Sequence, residues 1–296
     1  MIFVVVPLSA LATSAKSLSD GFPELVPTVR LVSYPELLRL EKVPCGAWVL
    51  TSLSTLSNEQ LSLLREFESA VIAHGSGIRL LGSPSRTLSR DAFFEEAEKI
   101  GVQSARTCSL ASLESSLPDW AVLRWEHQGD WAESEAISER HDLREVLSRM
   151  VFEGLDPEHI RGVTVPGASP YLEPMGHYFQ IGGESLVSDS LAEFWKGTDR
   201  ESVSRGLSEL LDRFGWGWAR FDFARTPRGP ALWRIEDGPG FIPHFDSKSL
   251  GIPGAAELRS WFLRTLRALN SSEAGDISLE IAPTRLQSLL LERPPP

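Results

Sequence analysis

Residues 2–6, Ile-Phe-Val-Val-Val, form an unbroken apolar run of mostly β-branched side chains. That pattern suits a strand covered on both faces of a parallel sheet. Ala47-Trp-Val-Leu50 repeats it, and Gly77-Ile-Arg-Leu-Leu81 marks a third short strand. Between these runs the period becomes helical. Tyr34-Pro-Glu-Leu-Leu-Arg-Leu40 predicts a short helix, and Ser57-Asn-Glu-Gln60 is a capping signature ahead of Leu61, Leu64 and Phe67. Ser89 to Ile100 reads as an amphipathic helix. Strands alternating with helices predict a βαβ-type layered unit over residues 1–105.

The pattern then changes. Trp120-Ala-Val-Leu-Arg-Trp125 predicts a strand running into a turn at His127-Gln-Gly-Asp130, and Ser138 to Phe152 predicts a helix. Arg161-Gly-Val-Thr-Val-Pro166 and His177-Tyr-Phe-Gln-Ile181, the latter followed by Gly182-Gly183, predict an antiparallel pair with a hairpin turn. A helix over Asp199–Phe214 precedes residues 218–240, which read as two strands around a Pro-Arg-Gly turn. Residues 255–269 form another amphipathic helix, with Leu258, Trp261, Phe262, Leu266 and Leu269 on one face. The tail Arg293-Pro-Pro-Pro296 reads as disordered.

Length and composition narrow the function class. A chain of 296 residues, 42% hydrophobic and 23% charged, has the make-up of a globular protein of about two domains. Forty acidic against 29 basic residues give a net charge of -11, which argues against a nucleic-acid backbone as the main partner. A small anion remains compatible, because it needs only a local positive pocket. No apolar run reaches the roughly 20 residues that span a bilayer, and the opening residues lack a basic n-region. Cys45 and Cys108 are too few for a disulfide framework or a zinc cluster. A soluble cytoplasmic protein is expected. No dinucleotide, P-loop, zincin or nucleophile-elbow motif is present, and the six histidines lack metal spacing.

Four stretches in fixed order carry a family likeness. They are Leu81-Gly-Ser-Pro84 with Ser89-Arg-Asp-Ala-Phe-Phe; Trp120-Ala-Val-Leu-Arg124; His127-Gln-Gly-Asp130; and the pair Arg220-Phe-Asp-Phe and Trp233-Arg-Ile-Glu-Asp-Gly-Pro-Gly240. Together they resemble the ATP-grasp superfamily. The resemblance implies an α+β fold of ATP-grasp architecture with a βαβ N-terminal domain (1–105) and two α+β lobes. These would be a central nucleotide-binding lobe (106–185) and a C-terminal lobe with a metal hairpin (186–290), followed by a tail (291–296). It implies ATP and Mg²⁺ as cofactors and a small-molecule or peptide carboxylate as substrate, activated as an acyl phosphate for attack by an amine.

In that frame Arg90 stands for the basic residue that reaches the nucleotide from the start of a helix. Arg124 stands for the phosphate-binding strand lysine, and His127 and Gly129 belong to the loop over the phosphates. His177 and Lys196 are further phosphate contacts. Asp222, Glu236 and Asp237 are the metal candidates, and Arg220 would stabilise the acyl phosphate or the substrate carboxylate. Read without the resemblance, Arg124 is equally a strand-end residue paired with Glu126 or with solvent, and Arg90 an exposed helix-terminal arginine.

The hairpin departs from the family at one position. Aligning Gly229 and Pro239-Gly240 without a gap puts Arg234 where a metal-holding Glu is expected, and Glu236 where an Asn is expected. Residues 234 and 236 share a strand face, and a guanidinium repels Mg²⁺ rather than ligating it. Three arrangements follow. Arg234 replaces a metal, bridging Asp222 or a phosphate, while Glu236 and Asp237 hold the remaining ion. Or the hairpin has lost metal and survives around an Asp222–Arg234–Glu236 ion cluster. Or a bulge returns Glu236 to the Glu position. Two function classes stay open: an ATP-dependent ligase, and a catalytically degenerate module that binds a ligand or partner.

Overall fold

The computed structural model describes residues 1–74, 77–127, 130–169, 173–195, 200–237, 252–269 and 276–278. Gly129, Lys196 and the tail 291–296 lie outside the described residues. No helix among the described residues is long and apolar enough to cross a membrane.

The first layer runs β1 (Ile2–Val6), α1 (Leu11–Gly21), β2 (Val29–Ser33), α2 (Tyr34–Leu37), β3 (Lys42–Pro44), β4 (Gly46–Leu50), α3 (Asn58–His74) and β5 (Ile78–Leu81). Its sheet has the order β2-β1-β4-β5 with every pairing parallel. All residues of β1 and β4 are buried, because side chains alternate into two cores, one on each face. Phe3 stacks on Trp48 at 4.3 Å on the side covered by Leu61, Leu64 and Phe67 of α3.

Helix α4 (Arg90–Lys99) leads out of this layer, capped by Ser89 Oγ accepting the amide of Ala92. The central unit follows with β6 (Arg106–Cys108), α5 (Leu110–Ser115), β7 (Val122–His127), β8 (Asp130–Glu133), α6 (Arg140–Phe152) and β9 (Ile160–Thr164). Its antiparallel sheet has the order β6-β9-β7-β8. Leu123 and Ile160 pack with Leu143, Val146 and Met150 of α6. The period of two therefore sends Arg124 and Glu126 to the opposite face.

The last unit contains β10 (Glu173–Ile181), β11 (Glu184–Val187), α7 (Asp189–Trp195), α8 (Arg200–Arg213), β12 (Trp218–Thr226), β13 (Gly229–Glu236), α9 (Ile252–Leu269) and β14 (Asp276–Ser278). Its antiparallel sheet has the order β11-β10-β12-β13, while β14 pairs with β3 of the first layer. Tyr178, Phe221 and Ile235 share a core with Phe93 of α4 and Leu207 and Leu211 of α8. The other face carries Phe179, Ile181 and Trp218 into a core shared with α9 and β1. At that junction Gly217 allows backbone to approach backbone, since a Cβ there would lie 2.6 Å from the amide nitrogen of Gly82.

One expected pairing is corrected. The strands at 161–166 and 177–181 do not pair with each other: β9 lies between β6 and β7, and β10 between β11 and β12. Gly182 and Gly183 take φ of 54° and 95° and turn β10 tightly into β11, so the next strand in sequence occupies that edge.

Candidate functional site

The β12–β13 ladder sets Arg220 opposite Glu236 and Asp222 opposite Arg234, and β10 sets His177 opposite Asp222 from the other side. Beyond Asp222 the register shifts, with Phe223 opposite Leu232, so that Trp233 is the extra residue of a bulge. A bulge is thus present, yet Arg234 rather than Glu236 faces Asp222.

These side chains form one contact cluster. Arg220 approaches Asp222 through Nε at 2.9 Å and Nη2 at 3.0 Å, and its Nη2 lies 2.9 Å from Glu236 Oε2. His177 Nδ1 is 2.7 Å from Asp222 Oδ1, and Arg234 Nη2 is 3.8 Å from Glu236 Oε2. Burial pushes the Asp222 carboxyl up, but the hydrogen bond from His177 and the charges of Arg220 and Arg234 outweigh it and hold the pKa at about 2. Burial works against the charge of Arg220, which Asp222 and Glu236 more than restore. Arg234 is lowered by burial first, with Arg220 and Arg124 adding to the effect.

Asp237 and Arg90 belong to a second, adjacent cluster. The Asp237 carboxylate is 2% exposed and accepts the Ser54 amide at 2.9 Å, the Ser54 hydroxyl at 2.8 Å and Arg90 Nη2 at 3.0 Å. Its backbone carbonyl accepts the amide of Ser52, a residue in the left-handed region at φ 56°. Arg90 also donates through Nε to Ser54 Oγ at 2.9 Å and pairs through Nη1 with Glu126 at 2.8 Å. Arg90 is therefore not an exposed helix-terminal residue. It ties the loop after β4, the end of β13 and the end of β7 together.

Arg124 is 5% exposed and pairs with Glu133, with both Nε and Nη2 at 3.0 Å from Oε2. Glu126 is not its partner, because residues two apart on β7 lie side by side while the β7–β8 register puts Glu133 directly across. The Arg124 guanidinium also sits 4.9 Å over the ring of Trp233, whose other neighbour is Trp120 at 6.0 Å. His127 and Asp130, which bound the expected phosphate loop, are paired across the β7–β8 ladder. A cavity of about 190 Å³ opens beside these groups, lined by Arg90, Asp91, Arg124, Glu126, Arg161 and Ile235 among others. Asp91 is raised by burial there, against a hydrogen bond to Thr107. Ser54, Arg161 and Trp233 had no signal in the sequence, because each joins the site through contacts between distant segments, and Glu133 is placed by the β7–β8 register.

By sequence, no family model and no curated protein matches the chain. Solved structures do match in fold. The D-alanyl-alanine synthetase A of Vibrio cholerae O1 biovar eltor superposes with a TM-score of 0.51 at 10% identity, covering 90% of this chain and 97% of that one. The chain has the ATP-grasp fold. Two other solved structures superpose slightly less closely. A D-cycloserine synthetase gives a TM-score of 0.49 at 14% identity, covering 90% of this chain and 99% of its own. A RiPP-associated ATP-grasp ligase of Chryseobacterium gregarium, solved with ADP and a leader and core peptide, gives 0.46 at 11%, covering 91% and 97%.

The resemblance in sequence implies Mg²⁺ and ATP, and the donor set bears on whether that ion fits. Mg²⁺ on a nucleotide is held by one or two carboxylates together with phosphate oxygens, not by an all-protein cage. Asp222 Oδ2 and Glu236 Oε2 both lie within 3.0 Å of one nitrogen, Arg220 Nη2, so two hard oxygens converge on a single point. Asp237 adds nothing to them, since its oxygens are bound to Ser54 and Arg90. Among the described residues no three His, Cys, Asp or Glu side chains converge as a metal site. The set fits an ion that shares its shell with phosphate, and does not fit an ion held by protein alone.

Proposed function

We propose that the protein is an ATP-dependent ligase of the ATP-grasp type, which activates a small-molecule or peptide carboxylate as an acyl phosphate for attack by an amine. The observation that supports it is the convergence of Asp222 and Glu236 on Arg220, in an ATP-grasp fold and next to a cavity bordered by Arg90 and Arg124. When bound, Mg²⁺ supplies charge neutralisation to the nucleotide phosphates, and Asp222 and Glu236 are the residues that would hold it.

The other roles belong to the chain. Arg220, half-buried and held by two carboxylates, would present a preorganised guanidinium to negative charge on an acyl phosphate. Arg124 offers a planar fork to phosphate oxygens, with its orientation set by Glu133 and Trp233. His177 orients the Asp222 carboxylate. In this reading Arg90 and Asp237 serve as positioning residues that hold the end of the hairpin against the first layer. The proposed setting is the cytoplasm, in keeping with the two free thiols of Cys45 and Cys108.

A second reading, a catalytically degenerate binding module, is favoured by Arg234 standing across from Asp222. Thermal-shift and calorimetric titration with Mg²⁺-ATP separates the two. Under the ligase reading wild type shows saturable stabilisation and Asp222→Ala loses it. If no Mg²⁺-nucleotide stabilises wild type, the ligase reading is wrong.

A further inference from the structure

The hairpin face carries two guanidiniums and two carboxylates in alternation. Across the ladder Arg220 faces Glu236 and Asp222 faces Arg234, and Arg220 also bridges the two carboxylates. Their formal charges cancel. A divalent cation approaching this face alone meets carboxylates that are already neutralised, with the Arg234 guanidinium 3.8 Å from Glu236. A polyphosphate approaching alone meets guanidiniums that are already paired. Either ion by itself must break a partly buried ion pair and leave one charge uncompensated, which is costly. Arriving together they would avoid that cost, because phosphate oxygens would pair with the guanidiniums while the carboxylates held the cation. The bulge at Trp233 adds to this geometry. It brings Arg234 onto the face of Asp222 and sets Trp233 against Arg124.

We propose that Arg234 is an exchangeable internal counter-ion, holding Glu236 and facing Asp222 in the ligand-free protein and passing to a phosphate oxygen when a divalent metal takes those carboxylates. Metal and polyphosphate then enter the hairpin as a pair, each binding poorly without the other. The identity of the polyanion as a nucleotide rests on the ligase reading, but the hold of Arg234 on the metal ligands does not.

The test uses the full chain and three probes: Mn²⁺ alone, ATP alone in EDTA, and both together. Binding is read by calorimetry and by the electron paramagnetic resonance signal of free Mn²⁺. In wild type, each probe alone should bind at least about tenfold more weakly than in the presence of the other. Arg234→Gln should bind Mn²⁺ alone at least about tenfold more tightly than wild type and lose most of the coupling. Arg234→Lys, which keeps the charge, should retain the coupling. The proposal fails if wild type binds Mn²⁺ equally well with and without ATP, or if Arg234→Gln leaves the affinity for Mn²⁺ unchanged. Mn²⁺ and ATP also chelate each other, so coupling in wild type does not by itself report on Arg234. If Arg234→Gln does not fold, Arg234→Met is read in its place, with the same gain in Mn²⁺ affinity expected and an unchanged affinity overturning the proposal. If wild type binds no ATP with or without Mn²⁺, the ligase reading falls. The counter-ion role then stands or falls on whether Arg234→Gln gains Mn²⁺.

Discussion

Replacing Asp237 with alanine separates a structural strut from a metal ligand. The carboxylate is 2% exposed and accepts three hydrogen bonds, from the Ser54 amide, the Ser54 hydroxyl and Arg90, all between 2.8 and 3.0 Å. A hydrogen bond to a charged group contributes about 1.5–3 kcal/mol, and removing one partner of a buried ion pair costs about 3–5 kcal/mol. Arg90 keeps Glu126 at 2.8 Å and Ser54 at 2.9 Å after the change, which places the loss at the lower end, about 3 kcal/mol. Burial works against the Arg90 charge, and Glu126 with Asp237 more than offset it, so part of that support goes as well. With a urea slope of about 3 kcal/mol/M, the midpoint followed by tryptophan fluorescence should fall by about 1 M. Asp237→Asn, which keeps an acceptor, should lose about half as much. Both measurements are made in EDTA. If Asp237 were a metal ligand in a strained acidic site, Asp237→Ala would be neutral or stabilising in EDTA, and its deficit would emerge only with Mg²⁺. That result would refute the strut assignment.

Two further outcomes follow from the same contacts. Asp222 titrates at about 2 in the folded protein against an ordinary 3.8, so its contribution is complete above about pH 4 and is lost as pH falls through 2. The difference corresponds to roughly 2 kcal/mol, so Asp222→Asn should be less stable at neutral pH and show a flatter acid-unfolding profile; equal slopes between pH 4 and 2 would contradict this. At Gly217, an alanine Cβ would meet backbone atoms of Gly82 and Leu81 at 2.6 and 2.8 Å, and neither can rotate away. Gly217→Ala should therefore cost about 1–3 kcal/mol, read as a lower urea midpoint, and an unchanged midpoint would show that the two backbones do not meet so closely.

Local periodicity was enough to identify the elements whose environment is uniform along their length. Strands β1 and β4 read as buried on both faces because every side chain is apolar, and α4 because Phe93, Phe94 and Ala97 recur at helical spacing. The order of those elements, with Asp222 on one strand and a Pro-Gly close after the next, carried the ATP-grasp resemblance. Partnership was another matter. That Arg124 meets Glu133 and not Glu126, that Asp237 bonds Ser54 from 183 positions away, and that β9 and β10 lie in different sheets all depend on register and on how the layers dock. A period of two says which face a residue occupies but not what lies across from it. The hairpin shows the division most clearly. The alternation of Arg234 and Glu236 put both on one face, and the alignment put a cation where a ligand was expected. Only the ladder, shifted by one residue at Trp233, decided that Arg234 stands opposite Asp222 and that Arg220 joins the two carboxylates. Charge and spacing are local properties of a chain, whereas the neutralisation of one charge by another is a property of the space between segments.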